Sequence, residues 1–173
     1  MKIILLGYMG SGKTVVGRAL SGTIGLPFLD LDEQISAKEE KSISEIFETK
    51  GEIYFRKREA EVLQDLMQLP EDFILALGGG TPCYGDNLAL LKDQKEVILV
   101  YLKTSLQELL KRLSGEREQR PLISHLNSAE LLEDFIRKHL FERTYYYNQS
   151  DLVISTDGKT SEVIAGEVLE KLN

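Results

Sequence analysis

Short unbroken apolar runs alternate along the chain with longer stretches whose apolar positions recur at three- and four-residue spacing. The runs are 2–6, Phe28-Leu29, 73–77, 97–102 and 152–155. None alternates polar with apolar, so each reads as a strand covered on both faces, as in a parallel sheet between helices. After the first run, apolar residues at 15, 16, 19 and 20 mark a helix that stops at Gly25-Leu26-Pro27. Ser42 and Glu45 form a capping box. Gly51 divides that helix from one at about 52–68, with Phe55, Val62 and Leu66 as its stripe and Arg56 and Glu59 three apart. Ser105-x-x-Glu108 caps a helix that turns Leu106, Leu109, Leu110 and Leu113 inward and ends before Gly115. A helix at about 128–147 is expected to bury Leu131, Leu132, Phe135, Ile136 and Leu140. A last one, at about 161–172, is expected to bury Val163, Ile164, Val168 and Leu169. Between them, residues 115–121 form a charged loop without a core residue.

The bulk numbers narrow the picture. A chain of 173 residues reads as one domain, long enough to bury a core without disulfides. Its net charge of −7 excludes a large basic nucleic-acid surface, so an anionic ligand must be met by a local cluster of arginine and lysine. Cys83 stands alone, which suits a reducing compartment and reads as a small, half-buried residue. The first strand starts at residue 2, leaving no room for a leader, and no run is long enough to span a membrane. A cytoplasmic location is expected.

Candidate chemistry centres on Gly7-Tyr8-Met9-Gly10-Ser11-Gly12-Lys13-Thr14, a phosphate-binding loop pattern set between a strand and a helix. Gly10 and Gly12 allow positive φ, so that backbone N–H groups turn inward around an anion at a helix N-terminus. Lys13 is placed to reach the β- and γ-phosphates, and Thr14 to ligate Mg²⁺. The second strand ends in Asp30-Leu31-Asp32, at the sheet edge where open α/β folds bind ligands. Strand alternation would put both carboxylates on one side. One would orient the metal, and the other would accept the proton of an attacking hydroxyl. A blander reading makes Asp32 only the N-cap of the next helix.

Gly78-Gly79-Gly80 lets a ligand approach backbone N–H groups with no Cβ in the way, or is simply a flexible turn. Arg56 and Arg143 lie on separate helices, and two guanidinium forks suit a carboxylate. Arg112, Arg117 and Arg120 crowd the charged loop, which fits a lid carrying positive charge over phosphates. His125 and His139 read as surface or helix-face residues.

Taken in order, Gly7 to Thr14, Phe28-Leu29-Asp30-Leu31-Asp32, Phe55-Arg56, Gly78-Gly79-Gly80, Arg120-Pro121-Leu122 and Glu142-Arg143 resemble the shikimate kinases over nearly the whole chain. The resemblance implies a P-loop kinase fold like that of the nucleoside monophosphate kinases. Its five-stranded parallel sheet would run in order 2-3-1-4-5, with substrate-binding helices at about 32–60 and a lid at about 112–124. It implies transfer of the ATP γ-phosphoryl group to the 3-hydroxyl of shikimate, on the route to chorismate and the aromatic amino acids. By position, it implies ATP contacts at Gly10, Ser11, Gly12, Lys13, Thr14, Val15, Arg112 and Arg120, and Mg²⁺ at Thr14 and Asp30. Shikimate would meet Asp32, Arg56, Gly78, Gly79, Gly80 and Arg143, with Glu59 bracing Arg56. Lys13, Asp32 and Arg120 would be catalytic, and a monomer is expected.

The chain departs from the family pattern in two places. Lys159 is the only basic residue of 155–159, where family members often carry an arginine near the adenine. The stretch from Arg112 to Arg120 is slightly long, so Arg117 competes for the lid role. A kinase for another polyol acid such as gluconate is the nearest alternative, and a nucleotide-binding module without catalysis the next.

Overall fold

In the computed structural model, residues 1–116, 120 and 122–172 are described. Among them five strands form one all-parallel sheet in the order β2-β3-β1-β4-β5. The strands are β1 (Lys2–Leu6), β2 (Phe28–Asp30), β3 (Phe73–Ala76), β4 (Val97–Lys103) and β5 (Leu152–Ser155). The helices are α1 (Lys13–Ile24), α2 (Leu31–Glu39), α3 (Ile43–Gln68), α4 (Asn87–Lys92), α5 (Leu106–Ser114), α6 (Ala129–Tyr147) and α7 (Ser161–Leu172).

The unbroken apolar runs are explained by a core on each face of the sheet. Ile3 and Leu5 of β1, with Ile74, Val100 and Leu102, pack on α1 and α7. The intervening Ile4 and Leu6, with Leu75, Leu99 and Tyr101, pack under α3, α5 and α6. A strand whose alternate residues enter different cores has no polar positions to spare.

Local signals set the helix ends. The Ser42–Glu45 capping box is formed from both sides. Gly51, at φ 82, kinks α3 where a non-glycine residue would be strained. Ser105 caps α5 by accepting from the Glu108 N–H, and Gly25 at φ 74 ends α1.

Several expectations are corrected. Asp30, not Asp32, is the N-cap of α2, accepting from the Asp32 and Glu33 N–H groups. Asp32 lies in the first turn of α2, so strand alternation does not relate the two carboxylates. Leu131 and Val163, read as inward, are 52% and 49% exposed, because each sits one position off a stripe already filled by its neighbour. The short helix α4, which was not expected, buries Leu88 and Leu91 at three-residue spacing. In the charged loop, Arg117 and Pro121 lie outside the described residues. Ile123, just beyond, is buried in the core. No helix among the described residues is long and apolar enough to cross a membrane.

Candidate active site

The strands' carboxyl ends open onto a cavity of about 600 Å³, lined by the phosphate loop, both aspartates, Gly78 and Gly79, Arg112, Arg120 and Lys159. Gly10 and Gly12 stand at φ 81 and φ 94, curling the loop as its glycines require. Ser11 is 1% exposed, and its hydroxyl has no hydrogen-bond partner among the described residues. A buried, unsatisfied donor in a cradle of N–H groups fits a phosphate oxygen. Lys13 Nζ rests on the carbonyls of Gly7 and Tyr8 at 2.8 and 3.1 Å. Burial lowers its pKa to about 8, against the attraction of Asp32 and Asp30. Arg112 reaches from α5 to the Gly10 carbonyl at 3.0 Å while pairing with Glu108. Arg120 is held by Glu116, its Nε donating at 2.7 Å.

The aspartates divide as their positions dictate. Asp30 Oδ2 accepts from the Thr14 hydroxyl at 3.3 Å, so two oxygen ligands stand together at the mouth of the phosphate loop. That donor set suits Mg²⁺, which binds few protein oxygens and completes its shell with phosphate and water. Asp32 is pushed to about 6, first by burial, then by the charges of Asp30 and Glu59, with Lys13 and Arg56 opposing.

Asp32 and both arginines converge on the glycine turn. A Cβ on Gly78 would lie 3.4 Å from Asp32 Oδ1, one on Gly79 would lie 3.4 Å from Arg143 Nη1, and one on Gly80 would lie 2.9 Å from Arg56 Nη2. Of the three, Gly80 is the one whose Cβ would collide with a functional side chain; the 3.4 Å approaches at Gly78 and Gly79 are ordinary contacts, and the tightest neighbour of Gly78 is Thr81 Oγ1 at 3.0 Å. The turn is not loose: Thr81 N–H and Cys83 N–H donate to Gly78 and Gly80 carbonyls, and the Tyr147 hydroxyl to Gly79.

Arg56 is braced by Glu59, which is 1% exposed and also accepts from the Thr81 hydroxyl at 2.7 Å. Asn87 Nδ2 holds the Thr81 carbonyl at 2.9 Å. The guanidinium lies 3.9 Å from the Tyr84 ring centroid; its buried Nε has no hydrogen-bond partner among the described residues, with Glu52 Oε1 the nearest acid at 3.7 Å. Arg143 has no acidic partner within ion-pair distance among the described residues; its carbon lies 5.7 Å from the Tyr8 ring centroid. An incompletely satisfied guanidinium and an unpaired one, side by side, call for an anion with two acceptor oxygens.

Sequence reasoning missed Tyr8, Tyr147, Thr81, Asn87 and Glu116. A signal existed for Tyr147, one helical turn after Arg143, and none for Asn87. Cys83 is half-buried as expected, with its thiol raised to about 11 by burial.

Comparison with known proteins agrees with this geometry. The profile of the shikimate kinase family matches residues 9–173. The chain belongs to the shikimate kinase family. Shikimate kinase of Flavobacterium psychrophilum is 47% identical over 168 residues, covering 96% of each chain. The structure of shikimate kinase from Acinetobacter baumannii in complex with shikimate superposes with a TM-score of 0.88 at 34% identity, over 99% of this chain and 92% of that one. A gluconokinase from Sinorhizobium meliloti, at 17% identity and a TM-score of 0.61 over 99% and 90% of the two chains, shares the fold alone. A member of the shikimate kinase family is a phosphotransferase with ATP as its cosubstrate.

Proposed function

We propose that the chain transfers the γ-phosphoryl group of ATP to the 3-hydroxyl of shikimate, giving shikimate 3-phosphate and ADP. The observation that carries the reading is the meeting of Arg56, Arg143 and Asp32 at one glycine turn beside the phosphate loop. Two forks suit the ring carboxylate, and a carboxylate poised near 6 suits an alcohol's proton. Phosphoryl transfer of this kind is mostly positioning and charge stabilisation. Arg56 and Arg143 fix the acid end, and Asp32 accepts a hydrogen bond from the attacking hydroxyl and takes its proton. The phosphate-loop N–H groups and Lys13 hold the donor phosphates, with Gly10 to Val15 and Arg112 against the nucleotide. Arg120 bears on the charge that develops in transfer, from a lid over 112–124.

Thr14 and Asp30 would hold Mg²⁺, which supplies charge neutralisation at the phosphates when bound. The expected form is a monomer of one domain, 1–173. A lone cysteine suits the reducing cytoplasm.

Gluconate carries a carboxylate too, so the forks alone do not separate the two acids; the family match favours shikimate. ADP release, measured by a coupled assay with ATP and Mg²⁺, should depend on shikimate and not respond to gluconate. Release at the same rate without shikimate would sink the reading.

A further inference from the structure

His139, Arg143 and Tyr147 follow one another on α6 at four-residue steps, which stacks them along one helix face. Each outer member reaches a different loop of the site. His139 Nδ1 is 2.9 Å from the Tyr8 hydroxyl of the phosphate loop. The Tyr147 hydroxyl donates to the Gly79 carbonyl of the glycine turn. All are fixed from behind: Tyr147 is fully buried with its ring 5.1 Å from that of Tyr101, Tyr8 is 2% exposed, and the His139 ring lies 4.4 Å from Phe135. Arg143 stands between the two anchored positions.

The contrast with Arg56 makes the need plain. Arg56 is aimed by Glu59, at the cost of sharing its charge with a fixed carboxylate. Arg143 has no carboxylate brace among the described residues; the Tyr147 hydroxyl, one turn on, is its hydrogen-bonding neighbour. A long side chain left free would lose rotamer entropy on binding. We infer that Tyr8, His139 and Tyr147 are positioning residues for Arg143: their two hydrogen bonds pin α6 to the phosphate loop and to the glycine turn, setting the Arg143 fork at a fixed distance from both. The inference rests on the reading of Arg143 as a carboxylate clamp.

The test uses Tyr8→Phe and Tyr147→Phe, each removing one oxygen, in the parent and in an Arg143→Lys background. Shikimate KM, ATP KM and kcat are measured for all, with thermal unfolding to confirm folding. Each oxygen deletion is expected to raise shikimate KM about three- to tenfold, with a clearly smaller change in ATP KM. In the Arg143→Lys background the factor should fall to about one, because a lysine has no fork to aim. The same factor in both backgrounds, or no rise in the parent, overturns the inference. If Arg143→Lys itself leaves shikimate KM unchanged, the clamp reading fails first, and the positioning role with it. His139→Gln, which keeps a hydrogen-bonding atom, should retain a lower shikimate KM than His139→Leu. Equal values for the two would count against the Tyr8 bond.

Discussion

The phosphate-binding part of the site comes from consecutive residues, Gly7 to Thr14, whereas the acid-binding part gathers Asp32, on the cavity wall, with Arg56, Gly80 and Arg143, beside the glycine turn, from four separate stretches of chain. The first half works through backbone N–H groups, whose direction follows from φ and ψ at a few glycines. The second works through long side chains that must be aimed by something else: Glu59 for Arg56, and the face of α6 for Arg143. Changes in the acid half should therefore alter shikimate handling and leave nucleotide affinity nearly intact.

The largest effect is expected from Asp32→Asn, which keeps the shape and removes the proton acceptor. Turnover should fall by about 10²–10⁴ while the ATP analogue affinity stays within about threefold. The fold should gain. The folded pKa of Asp32 is raised to about 6, so its contribution to stability is full below its unfolded value and is lost as pH rises through 6. At pH 7.5 the asparagine escapes that loss, and Tm should rise. Near-normal turnover would remove Asp32 from the chemistry.

Arg143→Ala comes next, with shikimate KM raised about 100-fold and ATP KM changed by less than about threefold. Equal effects on both substrates would erase the division between the two halves. Smaller, and readable without mutation, is the pH profile. kcat/KM for shikimate should fall about tenfold between its plateau and pH 5, as Asp32 takes up a proton near 6. kcat/KM for ATP should share that acid limb, because it too includes the transfer step, and should also fall above pH 8, where Lys13 in the free enzyme loses its charge. An ATP profile flat above pH 8 would count against Lys13 as the phosphate-binding cation.

The same asymmetry governs what could be read from the chain. Gly7 to Thr14 is legible because its function is local: sequence order is spatial order. The sheet was legible because unbroken apolar runs require two covered faces, and the Ser42–Glu45 box and Gly51 kink because each acts within a turn. Arg56 and Glu59 were legible as a pair for that reason, at three-residue spacing. Asn87 was not: its task is to hold the Thr81 carbonyl, a bond between a short helix and a turn that no periodicity encodes. Asp30 as helix cap was also missed, since a carboxylate at a strand end can serve either the strand's terminus or the next helix. Backbone geometry decides which. Leu131 and Val163 failed because an apolar residue beside a stripe looks like part of it.

The smallest and sharpest test is Gly80→Ala. Gly80 sits at φ −91 and ψ −15, a conformation alanine adopts without strain, so the backbone gives no reason for glycine there. The only obstacle is Arg56: the new Cβ would lie 2.9 Å from Nη2, 3.1 Å from Nη1 and 3.3 Å from the guanidinium carbon. The guanidinium cannot swing away freely, because Glu59 holds Nη1 at 2.9 Å and the Tyr84 ring covers the fork. It must shift by a few tenths of an ångström, which lengthens charge-assisted bonds to a bound carboxylate. The expected outcome is a rise of about three- to tenfold in shikimate KM, with a loss of stability under about 1 kcal/mol and an ordinary ATP KM. Were the substitution silent toward shikimate, the third glycine would owe its presence to something other than the fork, and Arg56 would be no part of the clamp.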